Sequence, residues 1–257
     1  MADEIETTVA DHVCSITLNR PAKRNALTTG MIVDLRAAVE RGAAAPAVRV
    51  IVVRGAGAAF CAGLDLGELA AQRAGGAVET HTLEHALEVL ERCPQPTLAA
   101  VQGDAIAGGC ELALHCDLRV AADSARFAMP LARIGLAVPV ALTWKLVETI
   151  GAAATKELLF TGEPIGADAA LGLGLVNRVV AAADLDAAVA ALARQVAHNA
   201  PLALRAMKAF VQRAADERRQ WRREDLEALE RRVRESSDVR EGLAAQRERR
   251  PPLFKGE

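Results

Sequence analysis

Hydrophobic and polar positions follow two different periods in the first half of the chain. Residues 13–18 alternate between apolar and polar side chains, which predicts a half-buried strand. Residues 49–54 and 97–101 form short apolar runs that glycine soon follows, which predicts buried strands. Residues 29–41 and 80–92 instead place apolar side chains at helical spacing. Strands that alternate with helices predict an α/β fold whose sheet is largely parallel.

The pattern becomes almost entirely helical after residue 140. Residues 201–247 contain few strand formers and are rich in Arg, Glu, Leu and Ala. Helical spacing also occurs in a series of shorter segments, at residues 142–150, 152–159, 167–171 and 184–198. We therefore predict an α/β core at residues 1–195 and a helical C-terminal region at residues 196–257.

Two loops that contain glycine follow predicted strands and lead into predicted helices, at residues 55–66 and 102–111. Ligands of open α/β sheets bind beyond the carboxyl ends of the strands, and glycine lets the backbone approach a ligand closely. One free N–H group from each loop would stabilise a developing negative charge. Tight turns without any function are the alternative. The sequence lacks the third glycine of a dinucleotide fingerprint, a Walker lysine, GxSxG and HExxH.

Composition narrows the class of partner. The chain has 31 Lys and Arg residues against 33 Asp and Glu residues, and its net charge of −2 predicts neither a nucleic acid nor a membrane as partner. Aromatic residues make up only 3% of the chain, so a ligand pocket would be mostly aliphatic. The five cysteines show no spacing typical of a metal site, and residues 1–4 are acidic rather than an apolar signal core. We expect reduced thiols, no bound metal and a cytoplasmic location.

Several segments, taken in order, resemble one known family. They are residues 19–27, 59–66, 107–117, 161–163 with 169–177, and 249–254. Their order and spacing are similar to those of the enoyl-CoA hydratase/isomerase (crotonase-like) family over about residues 5–256. The resemblance implies an α/β, crotonase-like spiral of ββα units with a helical C-terminal region that covers the pocket and takes part in oligomerisation. It also implies a homotrimer, or a hexamer built as a dimer of trimers.

The resemblance assigns a CoA-thioester site to particular residues. The thioester carbonyl oxygen would accept hydrogen bonds from the backbone N–H groups of Ala62 and Gly108, which together form an oxyanion hole. Each such donor typically stabilises the transition state by about 3 kcal/mol. Coenzyme A enters as part of the substrate, and no separate cofactor is implied. The contacts with CoA and substrate would come from Arg24, Ala26, Ala62, Gly63, Leu64, Asp65, Leu66, Leu131 and Arg249.

The resemblance also bears on proton transfer. Glu111 matches one of the two glutamates that hydratases of this family use as acid and base. A carboxylate in the first turn of a helix also has a purely structural interpretation, because it stabilises the helix dipole by about 0.3–1 kcal/mol. The position of the second glutamate holds Leu131, which cannot transfer a proton. Pro139 occupies the position where dienoyl-type isomerases carry an aspartate. Glu111 is therefore the single matched carboxylate.

Three functions stay open with this set of residues. Hydration of a trans-2-enoyl-CoA needs a group that activates water and a proton for the α-carbon, so with one carboxylate it should be slow unless Glu111 acts in both roles. Glu148 and His115 are nearby in sequence as possible substitutes, although a core histidine is the simpler interpretation of His115. A double-bond shift needs only one carboxylate above an enolate that the oxyanion hole holds. We predict enoyl-CoA hydratase/isomerase-type chemistry on acyl-CoA thioesters. The alternative is a protein that binds acyl-CoA with little or no catalysis, since Leu131 replaces the second glutamate.

Overall fold

The computed structural model describes residues 3–74, 81–218 and 224–255. The strands are β1 (Ile5–Ala10), β2 (Val13–Leu18), β3 (Val50–Gly55), β4 (Thr97–Val101), β5 (Ala105–Ile106), β6 (Leu118–Ala122), β7 (Arg126–Ala128), β8 (Ile165–Gly166) and β9 (Arg178–Val180). The helices are α1 (Thr29–Ala44), α2 (Leu66–Ala74), α3 (His81–Arg92), α4 (Gly108–His115), α5 (Val140–Thr161), α6 (Ala167–Gly172), α7 (Leu185–Ala197), α8 (Pro201–Arg218), α9 (Glu224–Glu235) and α10 (Ser237–Glu248). Short 3₁₀ helices cover Pro21–Lys23, Pro130–Ile134 and Ala182–Asp184.

The main sheet has the strand order β1-β2-β3-β4-β6-β9. β1 and β2 form an antiparallel hairpin, and each later pair of neighbours is parallel. Residues 50–53 of β3 and all of β4 are buried, because α1 covers one face of the sheet and α7 covers the other. A parallel strand that is covered on both faces requires such a continuous apolar run. The predicted α/β core with a largely parallel sheet is confirmed.

A smaller sheet has the strand order β5-β7-β8, and its first strand lies within the second loop, at residues 102–111. β5 pairs in parallel with β7, and β7 pairs in antiparallel fashion with β8. β5 directly precedes α4, so this sheet carries the second loop from β4 to the start of that helix. It thereby fixes where the first N–H groups of α4 point.

The C-terminal half is largely helical, as predicted. The two helices predicted at residues 142–150 and 152–159 are both present, because α5 is interrupted by a kink at Gly151, whose backbone is non-helical (φ 76°, ψ 162°). α10 packs against the 3₁₀ helix at Pro130–Ile134 so closely that a Cβ atom on Gly242 would overlap the backbone of Ile134. The predicted boundary at residue 195 falls within α7 and stays a prediction. Within the described residues, no helix is long and apolar enough to cross a membrane.

Candidate active site

The first loop, between β3 and α2, is held by side chains that donate to its carbonyl groups, chiefly the buried Asn25. Asn25 is fully buried, and its Nδ2 donates to the carbonyl oxygens of Ala56, Ala59 and Phe60 at 2.9, 2.8 and 3.2 Å. Its Oδ1 accepts a hydrogen bond from the Arg20 N–H at 2.9 Å. The Gln102 Nε2 also donates to the Gly55 and Ala59 carbonyls, both at 2.7 Å, so the two side chains together satisfy backbone groups of the loop and hold it in one conformation.

The two loops meet edge to edge. The Cys61 N–H donates to the Asp104 carbonyl at 3.0 Å, and the Ile106 N–H donates to the Cys61 carbonyl at 2.9 Å. Gly109, in the first turn of α4, lies so close that a Cβ atom at this position would overlap the Cys61 carbonyl oxygen. Only glycine fits there. The start of α4 is therefore held directly against the first loop.

The structure corrects one predicted donor of the oxyanion hole. The Ala62 N–H donates to the Arg24 carbonyl at 3.0 Å, so it is engaged inside the loop and is not directed at a ligand. This bond ties the first loop to the turn at Arg24, which has a left-handed backbone with a φ of 51°. Ala62 thus contributes to the shape of the loop, and it is one of the residues that line the cavity described below.

Leu64 presents an available N–H two residues further along. Leu27 pairs with this stretch, because its N–H donates to the Gly63 carbonyl and its own carbonyl accepts from the Asp65 N–H, both at 2.8 Å. In such a parallel bridge, the N–H of Leu64 points away from Leu27. Gly108 lies on that side: a Cβ atom added to it would be 3.6 Å from the Leu64 nitrogen. Among the described residues, neither the Leu64 nor the Gly108 N–H has a hydrogen-bond acceptor.

The residue before α4 has an unusual backbone. Ala107 has a φ of 50° and a ψ of −119°, which is strained for any residue with a side chain. Such strain typically costs about 1–3 kcal/mol and persists where the surroundings impose it. Here the Ala107 N–H donates to the Ala128 carbonyl at 2.8 Å, and the Ala107 carbonyl accepts from the Glu111 N–H at 3.0 Å. These bonds hold the Gly108 N–H at the start of the helix.

A cavity of about 490 Å³ is lined by these loops. Its size falls within the range of about 300–1,000 Å³ that is usual for ligand pockets. Much of its wall is aliphatic, with Ala62, Leu64, Leu66, Leu83, Met129, Leu131, Ile134, Leu136 and Leu142 among the lining residues. α10 closes one side with Gly242, Ala245 and Gln246. The predicted aliphatic pocket is therefore present, and the C-terminal region covers part of it.

Glu111 lines this cavity from the first turn of α4, three residues after Gly108. Only 8% of the residue is exposed. Burial, and then the charge of neighbouring Glu84, raise the pKa of Glu111 from 4.5 to about 8. A carboxyl group with a pKa near the working pH gives and takes protons readily. Glu111 thus combines a suitable place with a suitable pKa.

Two further side chains bear on the acid/base chemistry. Leu131 lines the cavity from the 3₁₀ helix at Pro130–Ile134 and is half-buried. Glu84, on α3, lines the same cavity and is also half-buried. The sequence prediction missed Glu84, because no motif or local spacing links α3 to the two loops. In the sequence, Glu84 is simply an acidic residue that follows the apolar Leu83 in a helical pattern.

The other candidates for a second acid or base lie elsewhere. The Nδ1 atom of His115 is 2.8 Å from the Glu111 carbonyl oxygen, and its Nε2 atom is 3.6 Å from a carboxylate oxygen of Glu91. Glu148 is exposed on α5. Of the residues that the structure describes, neither His115 nor Glu148 lines the cavity. His115 is partly buried and contacts both α4 and α3.

The residues predicted at the CoA end form a connected turn. Arg24 is exposed, and the Ala26 carbonyl accepts a hydrogen bond from the Arg20 guanidinium at 2.7 Å. The Asp65 carboxylate accepts from Arg20 at 3.2 Å and, at the start of α2, from the Gly67 N–H at 3.1 Å. Partial burial opposes ionisation of Asp65, but hydrogen bonds from the Glu68 N–H, Arg20 and the Gly67 N–H outweigh it and lower its pKa. Asp65 therefore braces this turn.

Arg249 is exposed at the end of α10 and has a left-handed backbone with a φ of 54°. Within the described part of the chain, Arg249 is absent from the cavity wall, whereas its neighbour Arg250 contributes to it. Arg250 forms ion pairs with Glu241 at 2.6 Å and with Glu248 at 2.7 Å. The predicted contact of Arg249 with CoA stays a prediction.

Comparison with known proteins identifies the family of the chain. A family model described as enoyl-CoA hydratase/isomerase matches residues 8–257. The chain belongs to the enoyl-CoA hydratase/isomerase family. It is 36% identical to a probable enoyl-CoA hydratase of Mycobacterium leprae over 98% of this chain and 99% of the relative. It is 37% identical to a putative enoyl-CoA hydratase of Thermus thermophilus over 95% of this chain and 97% of the relative.

Solved structures agree with this assignment. An enoyl-CoA hydratase/carnitine racemase from Magnetospirillum magneticum is 36% identical, with a TM-score of 0.80 over 100% of this chain and 97% of the other. A methylmalonyl-CoA decarboxylase is 27% identical, with a TM-score of 0.90 over the whole of both chains. The predicted crotonase-like fold and the prediction of an enzyme of this family are confirmed. The family acts on acyl-CoA.

Proposed function

We propose that this enzyme binds an enoyl-CoA thioester and transfers protons along its acyl chain. The observation that carries the proposal is the pair of N–H groups on Leu64 and Gly108, which lie close together beside a cavity that contains Glu111. A thioester carbonyl oxygen that accepts from both donors gains negative charge as the α-carbon loses a proton. Each donor would lower the barrier by about 3 kcal/mol.

Glu111 is the proton carrier in this proposal. It follows Gly108 by three residues on the same helix, so its carboxyl group lies near the α-carbon of a thioester held there. A double-bond shift needs one such group: the carboxylate takes a proton from one carbon of the enoyl chain and returns it to another. The apolar wall around Leu131 offers no further proton donor at the position where hydratases of the family carry one.

The CoA part would extend past the first loop. Leu64 and Leu66 line the cavity, while Arg24, Ala26 and Asp65 form the turn next to it. We propose that the exposed Arg24 contacts a phosphate or the adenine edge of CoA, and that Arg249 contributes from the C-terminal end. An arginine is suited to phosphate because its guanidinium donates several hydrogen bonds in a fixed plane.

The second candidate is acyl-CoA binding with little or no catalysis. Its support is the apolar Leu131 in the cavity wall, where a second carboxylate would otherwise stand. The two functions differ in a simple way. Binding alone needs the oxyanion pair and the aliphatic wall, whereas catalysis also needs Glu111 as a titrating group.

Product analysis separates these functions. The protein is incubated with a short trans-2-enoyl-CoA and, separately, with a 3-enoyl-CoA, and the products are followed by mass spectrometry and chromatography. We expect turnover that falls about 10²–10⁴-fold in Glu111→Gln. Glu157→Gln, at an exposed glutamate of α5, is the matched control and should leave the rate unchanged. Tight binding of acyl-CoA without turnover of either substrate would replace the enzyme proposal by the binding proposal.

We also propose that the chain assembles as a homotrimer, or as a dimer of trimers. The support is a run of exposed apolar side chains on α8, namely Leu202, Met207, Phe210 and Val211. Apolar groups exposed together on a helix favour association. Light scattering coupled to gel filtration measures the mass directly. A monomer across the micromolar range would contradict this assembly.

A further inference from the structure

α3 and α4 run side by side in the same direction, which fixes the level at which their side chains meet. Near the start of both helices, a Cβ atom on Gly108 would lie 3.2 Å from the Cδ2 atom of Leu83. Near their ends, the His115 ring lies 3.6 Å from the Glu91 carboxylate. Because seven or eight residues separate these two contacts on each helix, the helices are close to parallel.

The position of Glu84 relative to Glu111 follows from this register. Glu84 lies one residue after Leu83 on α3, while Glu111 lies three residues after Gly108 on α4. With a rise of about 1.5 Å per residue, the two glutamates differ by only about 3 Å in level along the helix pair. Glu84 also lies two turns before Glu91, on the side of α3 that faces α4. Both glutamates line the same cavity.

We infer that Glu84 is a second catalytic carboxylate, which supplies from α3 the group that Leu131 cannot supply from the opposite wall. This inference rests on the function proposed above and makes it more specific, since two carboxylates at one cavity allow water to be added to an enoyl-CoA. Like charges close together in a buried site favour a single shared proton. The raised pKa of Glu111, to which Glu84 contributes after burial, agrees with this arrangement.

The hydration step balances with these two groups. The Glu84 carboxylate takes a proton from water, and the water oxygen forms a bond to the β-carbon. The electron pair of the double bond moves to the α-carbon and the thioester oxygen, which accepts from the N–H groups of Leu64 and Gly108. The carboxylic acid of Glu111 then gives its proton to the α-carbon. Return of a proton from Glu84 to Glu111 restores the starting state.

Other charged groups surround this pair, and they differ in what they contact. They are Arg133, Arg234 and Arg250 in the cavity wall, and Arg119 and His115 around α4. Arg133 contacts Glu163 and the Thr161 carbonyl. Arg119 donates to the carbonyl groups of Leu175 and Cys116 at 2.6 Å. Among the described residues, Glu84 is the charged group that shifts the pKa of Glu111.

The test compares two reactions in Glu84→Gln. We expect kcat/KM for hydration of a trans-2-enoyl-CoA to fall about 10²-fold or more, as for loss of a general base. Isomerisation of a 3-enoyl-CoA depends on Glu111 and should change less than about fivefold on the same scale. Glu88→Gln, one turn further along α3 and exposed, is the matched control and should preserve both rates.

A pH profile separates catalysis from a merely structural role. Isomerisation needs ionised Glu111, so its rate should rise with pH through a value near 8. Removing the charge of Glu84 should move this rise to lower pH, which loss of packing would not do. Glu84→Asp keeps the charge, so it should leave the rise in place while hydration falls less than in Glu84→Gln.

Rescue adds a second measurement. Leu131→Glu in the Glu84→Gln background should restore part of the hydration rate, whereas Leu131→Gln should not. Two results would overturn the inference about Glu84 and leave the proposed isomerase-type function standing. One is a hydration rate in Glu84→Gln that stays within threefold of the parent rate. The other is a parent enzyme that isomerises a 3-enoyl-CoA but shows no hydration. Loss of hydration without a shift of the pH profile, and without rescue by Leu131→Glu, would also overturn the inference. No turnover of either substrate by the parent enzyme would remove the proposed function itself.

Discussion

The two sides of the cavity are built in different ways. On one side, residues 55–66 and 102–110 form what we call the carbonyl side, where the functional groups are backbone N–H groups. On the other side, residues 129–142 and α10 form the wall side, which contributes side chains to the cavity. The carbonyl side is held by hydrogen bonds from Asn25 and between the loops, and its glycines leave no room for a side chain.

This difference separates binding from reaction. The carbonyl side presents two N–H groups whatever side chain Leu64 carries, because backbone bonds to Leu27 direct the Leu64 N–H and the backbone bonds of Ala107 direct the Gly108 N–H. The wall side offers Leu131, and a single substitution there removes or adds a proton donor without disturbing the loops. Enzymes with the same carbonyl side can therefore differ in reaction. The decisive experiments change a residue on one side of the cavity and measure both stability and turnover.

The largest loss of activity is expected from Gly109→Ala, which changes a residue of the carbonyl side. The new methyl group would overlap the Cys61 carbonyl oxygen, so the start of α4 must move away from the first loop. We expect activity to be abolished and the free energy of unfolding to fall by about 3 kcal/mol or more. Chemical denaturation and turnover measure both.

Gly172→Ala is the matched control for that substitution. A Cβ atom at Gly172 meets nothing within 4 Å, and the residue lies at the end of α6. Activity should be unchanged. If Gly109→Ala were as stable and active as Gly172→Ala, the close contact between the two loops would not be what holds the N–H pair.

The next effect concerns Glu111, at the border of the two sides. Its raised pKa of about 8 means that the folded chain favours the protonated form. The stability that this preference gives is fully present below the ordinary value of 4.5 and is lost as the pH rises towards 8. Glu111→Gln removes this loss, so at pH 7 it should be more stable by on the order of 2–3 kcal/mol. Its activity should nevertheless fall about 10²–10⁴-fold.

Thermal or chemical unfolding across pH 4–9 measures this opposition between stability and activity. The parent enzyme should lose stability relative to Glu111→Gln between pH 4.5 and about 8, and the two curves should meet near pH 4.5. Parallel curves would show that Glu111 is not held in its protonated form. The activity loss and the stability gain together would mark it as a catalytic group kept at a cost to the fold.

A smaller loss of activity is expected from Asn25→Ala, which loosens the carbonyl side without a clash. The carbonyl groups of Ala56 and Phe60 lose their side-chain donor, whereas the Ala59 carbonyl keeps the Gln102 Nε2 as a donor at 2.7 Å. A buried acceptor without a partner costs about 1–3 kcal/mol, so the variant should unfold about 3 kcal/mol more easily and turn over roughly tenfold more slowly. Asn199→Ala, at an exposed asparagine, is the control. Equal stability of the two variants would contradict the role of Asn25.

The sequence was sufficient for the parts of this enzyme that local pattern determines. Residues 49–54 predicted β3 because a doubly covered strand must be apolar throughout. β1 was not predicted, since five of its six residues are exposed and its pattern is that of a polar edge strand. The two loops were located correctly by their glycines and by the strands before them. Local pattern therefore gives the frame of the site.

What the sequence could not give depends on contacts between distant residues. The predicted donor was Ala62, two residues from Leu64, because only the pairing with Arg24 and Leu27 decides which N–H groups are engaged inside the loop. Glu84 was missed for the same reason. Its place beside Glu111 comes from the packing of α3 on α4, and no motif in either helix records it. The wall side was predicted best where a family position could be compared, as at Leu131.

The smallest effect is expected where the carbonyl side meets the CoA turn. Asp65→Ala removes the acceptor of the Gly67 and Glu68 N–H groups and the partner of Arg20, so stability should fall by about 1 kcal/mol. The pKa of Asp65 is lowered, so its stabilisation is present above 3.8 and is lost as the pH falls through the lower folded value. Asp65→Asn keeps an acceptor at the start of α2 and should lose less stability.

The same substitution should affect substrate binding. Because the turn also positions Ala26, KM for the CoA thioester should rise a few-fold in Asp65→Ala, on the scale of a lost surface hydrogen bond, while kcat stays nearly constant. A fall in kcat with unchanged KM would mean that Asp65 acts on the N–H pair and not on the CoA turn, and the division between the two sides would have to include it.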